Sequence, residues 1–300
     1  MIFLRRGFAL VFVGLAGIFW ASSGVAVQDF FSHSSKSAIE LTNIRMCSAG
    51  AILILIAARR KKFWLSLKLL NRRPRLWLDV VIYGIVGVVF MQFTYFQAIS
   101  IGGAAATTVI TYACPAMVVM WESLYHRRLP KRGEVVAVIL AMSGVFLLVT
   151  GGNPTKLLVP IGCVVWSLAS GAAFAFSAIF PKHLFAKKID PYFLTGVGMF
   201  VGGLFTFALV DERNWLPFLA ADVIFDVSWI IVFGTVAAFL SFNAGLKFLT
   251  PEEAAITATT EPAASVIISW IIFGAAFGLI ESVGIILVML AIVAPSIIKR

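Results

Sequence analysis

Ten apolar runs, each about twenty residues long and separated by short polar breaks, occupy almost the whole chain. They are Gly7–Val27, Ile39–Ala58, Leu78–Ile99, Ala104–Tyr125, Gly133–Thr150, Val159–Phe180, Phe193–Val210, Ser228–Phe248, Ala254–Phe273 and Leu279–Ile298. A helix rising about 1.5 Å per residue needs about twenty residues to cross a hydrocarbon core of roughly 30 Å. The breaks carry turn chemistry, as in Gly102-Gly103, Gly151-Gly152-Asn153-Pro154, Asp190-Pro191 and Thr250-Pro251, and none is long enough for a soluble domain. Charged residues make up 13% of the chain, where soluble domains carry about 25%. The reading is therefore an all-α integral membrane protein whose largest partner is the lipid bilayer. Arg5-Arg6 before the first run resembles a signal peptide, but the run continues to Val27 and more follow. It reads as an uncleaved first helix.

The basic residues test this span count. Twenty of the 24 Lys and Arg fall on one set of span ends, three on the other, and Arg45 lies inside a span. Basic residues gather in cytoplasmic loops, so the bias implies ten transmembrane helices with both termini cytoplasmic, as in a multi-pass bacterial inner-membrane protein. It also accounts for the net charge of +10 without nucleic acid.

Ten spans divide into two fives. Because five is odd, a repeat of five enters the membrane the second time with opposite orientation, giving a pseudo-two-fold axis in the membrane plane. Residues 1–152 and 153–300 are the expected halves. At an offset of 147 residues Pro115 matches Pro262, Val119 matches Val266, Glu134 matches Glu281 and Met142 matches Met289. Cys114 then stands where the second half has Glu261. A carboxylate at mid-membrane costs about 3 kcal/mol on insertion scales, and Pro262 beside it removes a backbone donor.

Several stretches resemble the ten-helix, EamA-type members of the drug/metabolite transporter superfamily. They are Phe19-Trp20-Ala21, the proline-centred Pro115-Ala-Met-Val-Val-Met-Trp121 and Thr260-Glu261-Pro262-Ala-Ala-Ser-Val-Ile-Ile-Ser-Trp270, and the fifth run from Gly133 to Gly144. His126-Arg127 and Gly274-Ala275 stand where that family often has Gly-Glu. The resemblance covers nearly the whole chain. It implies two inverted five-helix repeats around a central cavity, and amino acids or related metabolites as substrates.

Polar groups in the spans are the candidate substrate contacts. They are Trp20, Ser22, Gln92, Tyr95, Tyr112, Asn243 and Glu261. Gln92 and Tyr95, three apart, share a helix face, and such groups need partner helices or a wet cavity. Glu261 can bind a substrate ammonium or carry a coupling proton; equally, it can be a structural acid closing groups that Pro262 leaves open. Pro115 and Pro262 are expected at the packing axis. Ala104-Ala-Ala-Thr-Thr and Ala254-Ala-Ile-Thr-Ala-Thr-Thr read as surfaces for close helix crossing. Arg45, six residues into its span, is expected to snorkel to the outer interface rather than to contact an anionic group. The basic run Arg59–Arg75 is expected as a loop that sets topology.

The pattern favours a secondary transporter that moves a small metabolite by alternating access, and export is the direction expected from the resemblance. The alternatives are a multidrug or cation exporter of the same fold, and a membrane-embedded enzyme that processes lipid. No GxxxxGK[ST] or HExxH occurs, and His33, His126 and His183 fall at loops or span ends. Cys47, Cys114 and Cys163 are scattered in apolar segments, so no disulfide, metal site or cofactor is expected. The chain is expected to work as a monomer or homodimer.

Overall fold

The computed structural model describes residues 2–298 apart from 126, 128, 211–213, 222, 247, 250–252, 254–256 and 258. For residues 2–6, 115, 122, 124, 125, 246 and 296 it describes the backbone alone. All regular elements among the described residues are helical. Those that carry the argument are α1 (Ile2–His33), α2 (Ala38–Ala58), α3 (Lys61–Arg72), α4 (Arg75–Gly102), α5 (Ala104–Thr111), α6 (Cys114–Tyr125) and α7 (Arg132–Thr150). The second half contains α8 (Ile161–Ile179), the short α9 (Lys182–Ala186), α10 (Pro191–Leu209), α11 (Ile224–Gly245), α12 (Thr260–Phe273) and α13 (Leu279–Ile297). Eight segments are long and apolar enough to cross a bilayer, with α5 and α6 together forming one of them; α12 and α13 contribute two shorter apolar helices.

The packing has the pairing that a two-fold axis requires. Helix α2 lies along α10, the second span against the seventh, and α7 lies along α13, the fifth against the tenth. Helix α1 packs on α11 and α12, and its counterpart α8 packs on α4, α5 and α6. Where α7 crosses α13, a Cβ on Gly144 would sit 2.6 Å from the Gly284 carbonyl oxygen, and one on Gly284 would sit 2.6 Å from that of Gly144. The two backbones touch because neither residue has a side chain, the small-residue device of membrane helix pairs.

A second sign of the repeat lies in the third and eighth spans. Each begins with eight α-helical residues, Arg75–Ile82 and Ile224–Ile231, and then widens into a π-helical stretch, Tyr83–Val89 and Val232–Ala237. The two stretches start 149 residues apart. A π turn hydrogen-bonds over five residues instead of four and re-aims the side chains that follow it.

Three expectations are revised by the fold. The fourth span is broken: α5 ends at Thr111, a turn covers Tyr112 and Ala113, and α6 begins at Cys114. Likewise α12 begins at Thr260, so Glu261 and Pro262 are in its first turn. Both prolines thus occupy positions whose N–H has no partner within the helix, and their missing donor costs little there. The side chain of Pro115, like residues 254–256 and 258 of the expected ninth span, lies outside the described residues. Finally, the basic stretch after α2 contains a helix rather than a loop alone. Helix α3 buries Phe63, Ser66 and Leu70 while exposing Trp64, Leu65, Lys61, Lys62 and Lys68. Its period of three to four separates an inward face from a basic, aromatic outer one, as in helices that lie at a membrane surface.

Candidate functional site

Where the proline-led α12 meets the broken fourth span, Tyr112 Oη donates to Glu261 Oε2 at 2.6 Å. The turn that ends α5 presents Tyr112, and the first turn of α12 presents Glu261. An acid in that turn also faces the positive end of the helix. Both side chains are partly exposed although they sit mid-span, and Pro262 beside them is buried. Helix α1 closes one side. A Cβ on Gly17 would lie 3.1 Å from the Glu261 backbone nitrogen, so α1 approaches α12 closely at this level.

One turn along both helices is a node of hydroxyls. Thr108 Oγ1 donates to Ala104 O at 2.7 Å and accepts from Ser265 Oγ at 3.1 Å. Tyr95 Oη lies 2.7 Å from the same Thr108 oxygen. The single Thr108 proton is committed to a carbonyl, which can only accept, so Tyr95 is the donor. Thr108 and Ser265 are fully buried. The node joins α4, α5 and α12, and therefore both halves of the chain.

Gln92, one turn before Tyr95 on α4, accepts a hydrogen bond from a buried cation. Arg45 Nη1 donates to Gln92 Oε1 at 2.9 Å, Nε to Thr235 Oγ1 at 2.8 Å, and Nη2 to Gly234 O at 3.0 Å. The guanidinium also lies over the Phe96 ring, 5.2 Å from its centroid. Arg45 is 3% exposed, so it does not snorkel outward as expected. Its acceptors on α11 come from the π stretch, where Thr235 Oγ1 in turn donates to Ile230 O, five residues back. The wider turn is what directs Gly234 O and Thr235 toward α2. Among the described residues no carboxylate lies within ion-pair distance of Arg45.

The remaining candidates form a neighbouring group. Trp20 packs its ring against Phe239 and Phe242 of α11, with centroids 5.6 and 5.2 Å away. Ser22 donates to Phe19 O and accepts from Trp229 Nε1 at 3.0 Å. Asn243 spends an amide proton on Phe239 O within its own helix. Among the described residues no hydrogen bond joins these three to the Glu261 group. Sequence reasoning missed Thr108, Ser265 and Thr235, which it took as packing surface or passed over. A threonine's hydrogen-bond role depends on which neighbour it faces, and no local pattern encodes that.

Comparison with known proteins adds the following. The EamA-like transporter family matches this chain twice, over residues 7–150 and 161–296. An uncharacterized inner membrane transporter, YicL of Salmonella typhimurium, is 29% identical over 297 residues, covering 99% of this chain and 97% of that protein. An uncharacterized transporter, YwfM of Bacillus subtilis, is 22% identical, with 97% and 94% covered. One crystal structure superposes with a TM-score of 0.65 at 15% identity, covering 96% of each chain, a likeness of fold alone.

Proposed function

The chain belongs to the EamA-like transporter family, and from that premise we propose that it exports a small metabolite, an amino acid or a related compound, by alternating access. It is a multi-pass inner-membrane protein. In this reading the halves 1–152 and 153–300 rock about the pseudo-two-fold axis, and both termini are cytoplasmic. The substrate occupies a space bordered by Trp20, Ser22, Gln92, Tyr95, Tyr112, Asn243 and Glu261.

The observation that carries the reading is the Tyr112–Glu261 pair. It couples the break in the fourth span to the start of α12, and Glu261 is half-buried against protein where a lipid-facing acid would be costly. Half-helix ends at the midplane are the usual positions of substrate and ion sites in transporters built from inverted repeats. Glu261 is the one acid in this group, so it is the residue to receive a substrate ammonium or a coupling proton. Tyr112, whose hydroxyl already donates to it, holds the carboxylate in place until a ligand displaces that bond.

Uptake into proteoliposomes tests this, comparing amino acids, nucleosides and cationic drugs with and without a pH gradient. Amino-acid flux that responds to the gradient in the native protein, and no longer responds in Glu261→Gln, is the expected result. Flux in Glu261→Gln that keeps its native pH response assigns Glu261 to structure. Turnover of lipid with no solute moved overturns the transporter reading in favour of an enzyme, and flux of cationic drugs alone shifts the substrate class.

A further inference from the structure

Two matching pairs of titratable side chains tie helix ends together at opposite ends of the bundle. Asp79 lies at the start of the third span, on α4. At the offset of 147 residues that relates the two prolines, its counterpart is Asp226, at the start of α11. His183 follows the sixth span, on α9. Its counterpart 154 residues earlier is Asp29, near the end of α1; the same offset relates Gly17-Ile-Phe-Trp20-Ala21 to Gly171-Ala-Ala-Phe174-Ala175. Successive spans run in opposite directions, so the first pair lies at the end of the bundle where the third span starts, and the second at the other end. In the first pair His183 Nε2 is 3.1 Å from Asp79 Oδ2. In the second, the Asp29 and Asp226 carboxyl groups hydrogen-bond one another. The inverted fold thus makes the same tie twice, once from an acid and a base and once from two acids. We propose that Asp29 and Asp226 share a proton that fastens the end of α1 to the start of α11, and that this clasp loosens as the medium on that side becomes alkaline.

The chemistry of the pair demands the proton. An ionised carboxylate only accepts, so two of them have no hydrogen bond to make until one is protonated. Asp226 is 5% exposed, and its Oδ2 is buried with no donor to it among the described residues. Two ionised carboxylates in contact repel, and they repel more strongly where water is excluded. The pair therefore holds α1 on α11 in the singly protonated form and pushes them apart in the doubly ionised one.

The charged groups around the pair do not supply the missing donor. On α1, His33 Nδ1 is 3.8 Å from Asp29 Oδ1, but it lies closer to Asp29 O at 3.1 Å and Ser32 Oγ at 3.0 Å, so the ring is held to its own helix. His33 is 50% exposed, and solvent screens its charge. Just before α2, which also packs on the start of α11, Lys36 Nζ pairs with Glu40 Oε1 at 2.9 Å. The short helical turn Leu216–Leu219, the remaining neighbour, has no titratable side chain. Among the described residues no three ligating side chains converge to hold a metal ion there. Glu261, in the first turn of α12, belongs to a different level of the bundle, and the clasp does not depend on the role proposed for it.

Hydrogen exchange of the purified full-length protein in neutral detergent tests this. It is read on amides 26–33 and 224–228 from about pH 5 to about pH 9, each rate divided by the intrinsic rate at that pH. Native exchange at these amides is expected to rise on the order of tenfold as the proton leaves, the factor that corresponds to one pH unit of proton affinity spent on the contact. In Asp226→Asn, whose amide donates to the Asp29 carboxylate at every pH, the rise is expected to disappear. Asp79→Asn, at the other end of the bundle, is expected to leave the rise as it is in the native protein. A native profile that is flat across the range overturns the shared proton, as does a rise that persists in Asp226→Asn. A rise lost equally in Asp79→Asn overturns the local clasp and assigns the response to the molecule as a whole. Asp29→Asn, on a side chain 38% exposed, gives the same readout if Asp226→Asn does not fold.

Discussion

The hydroxyl of Thr108 has its full complement of hydrogen bonds, one donated to Ala104 O and two accepted, from Tyr95 and Ser265. Replacing it by valine keeps the shape and removes the acceptor of two donors, the buried Ser265 and the half-buried Tyr95. Buried groups left unsatisfied cost about 1–3 kcal/mol in soluble proteins, but polar contacts between membrane helices average nearer 0.6 kcal/mol. Thr108→Val is therefore expected to destabilise the protein by about 1–2 kcal/mol in detergent unfolding. In a Tyr95→Phe background, where one donor is already gone, the same change should cost less; equal costs in both backgrounds would mean that the bond contributes nothing. This node also shows what a sequence can disclose about single residues. Glu261 and Tyr112 stood out by type, as a carboxylate and a phenol within apolar runs, but their contact spans 149 residues. Thr108 and Ser265 did not stand out, because short hydroxyl residues serve packing equally well. Arg45 was misjudged for a different reason. Its distance along the span gives depth, whereas its fate depends on which way it faces, and its acceptors belong to a π stretch that a 3.6-residue period does not reveal.

At the scale of helices, most of the architecture was legible and the breaks were not. Span number and rough limits follow from hydropathy alone, since a bilayer fixes element length. The offset of 147 residues between the prolines pointed to the repeat, and the packing of α2 on α10 and of α7 on α13 expresses it in space. What hydropathy cannot register is that the fourth span stops at Tyr112 and restarts at Cys114, because both sides of the break are equally apolar. Glycines were another blind spot: composition gives their number, and only the fold says which are crossings. Gly284 is one. A side chain there would meet Gly144 O at 2.6 Å and Leu148 N at 2.8 Å, and backbone cannot move aside as a flexible side chain does. Gly284→Val is expected to force α7 and α13 apart and cost about 3 kcal/mol or more, read as lost monodisperse yield or a lowered thermal midpoint. Gly7→Ala is the control, since a Cβ there meets nothing within 4 Å. A native midpoint in Gly284→Val would mean that the crossing adapts and that its small residues are incidental.

For the molecule as a whole, the odd number of spans per half carries the strongest consequence. If each half crosses the membrane five times, the junction between them must lie on the side opposite both termini. The distribution of Lys and Arg supplies the sign, with twenty on the faces that include the termini and three on the other. Arg73, Arg75 and Lys187 belong to the crowded face, and the Gly151-Gly152-Asn153-Pro154 turn to the sparse one. A phosphatase reporter, active only outside the cytoplasm, is thus expected to be active when fused after Asn153 and inactive when fused after Arg300. A fluorescent reporter that matures only in the cytoplasm should give the reverse. Phosphatase activity at both fusion points would require an even number of crossings in the second half, which would remove the inverted relation and the axis with it. Activity at Arg300 alone would keep the axis and reverse the orientation. The reporters thus separate two premises that the charge count joins, the inversion of the halves and the direction in which the pair is inserted. Only the first is needed for rocking about Tyr112 and Glu261, since an inverted pair can alternate access whichever way round it is inserted.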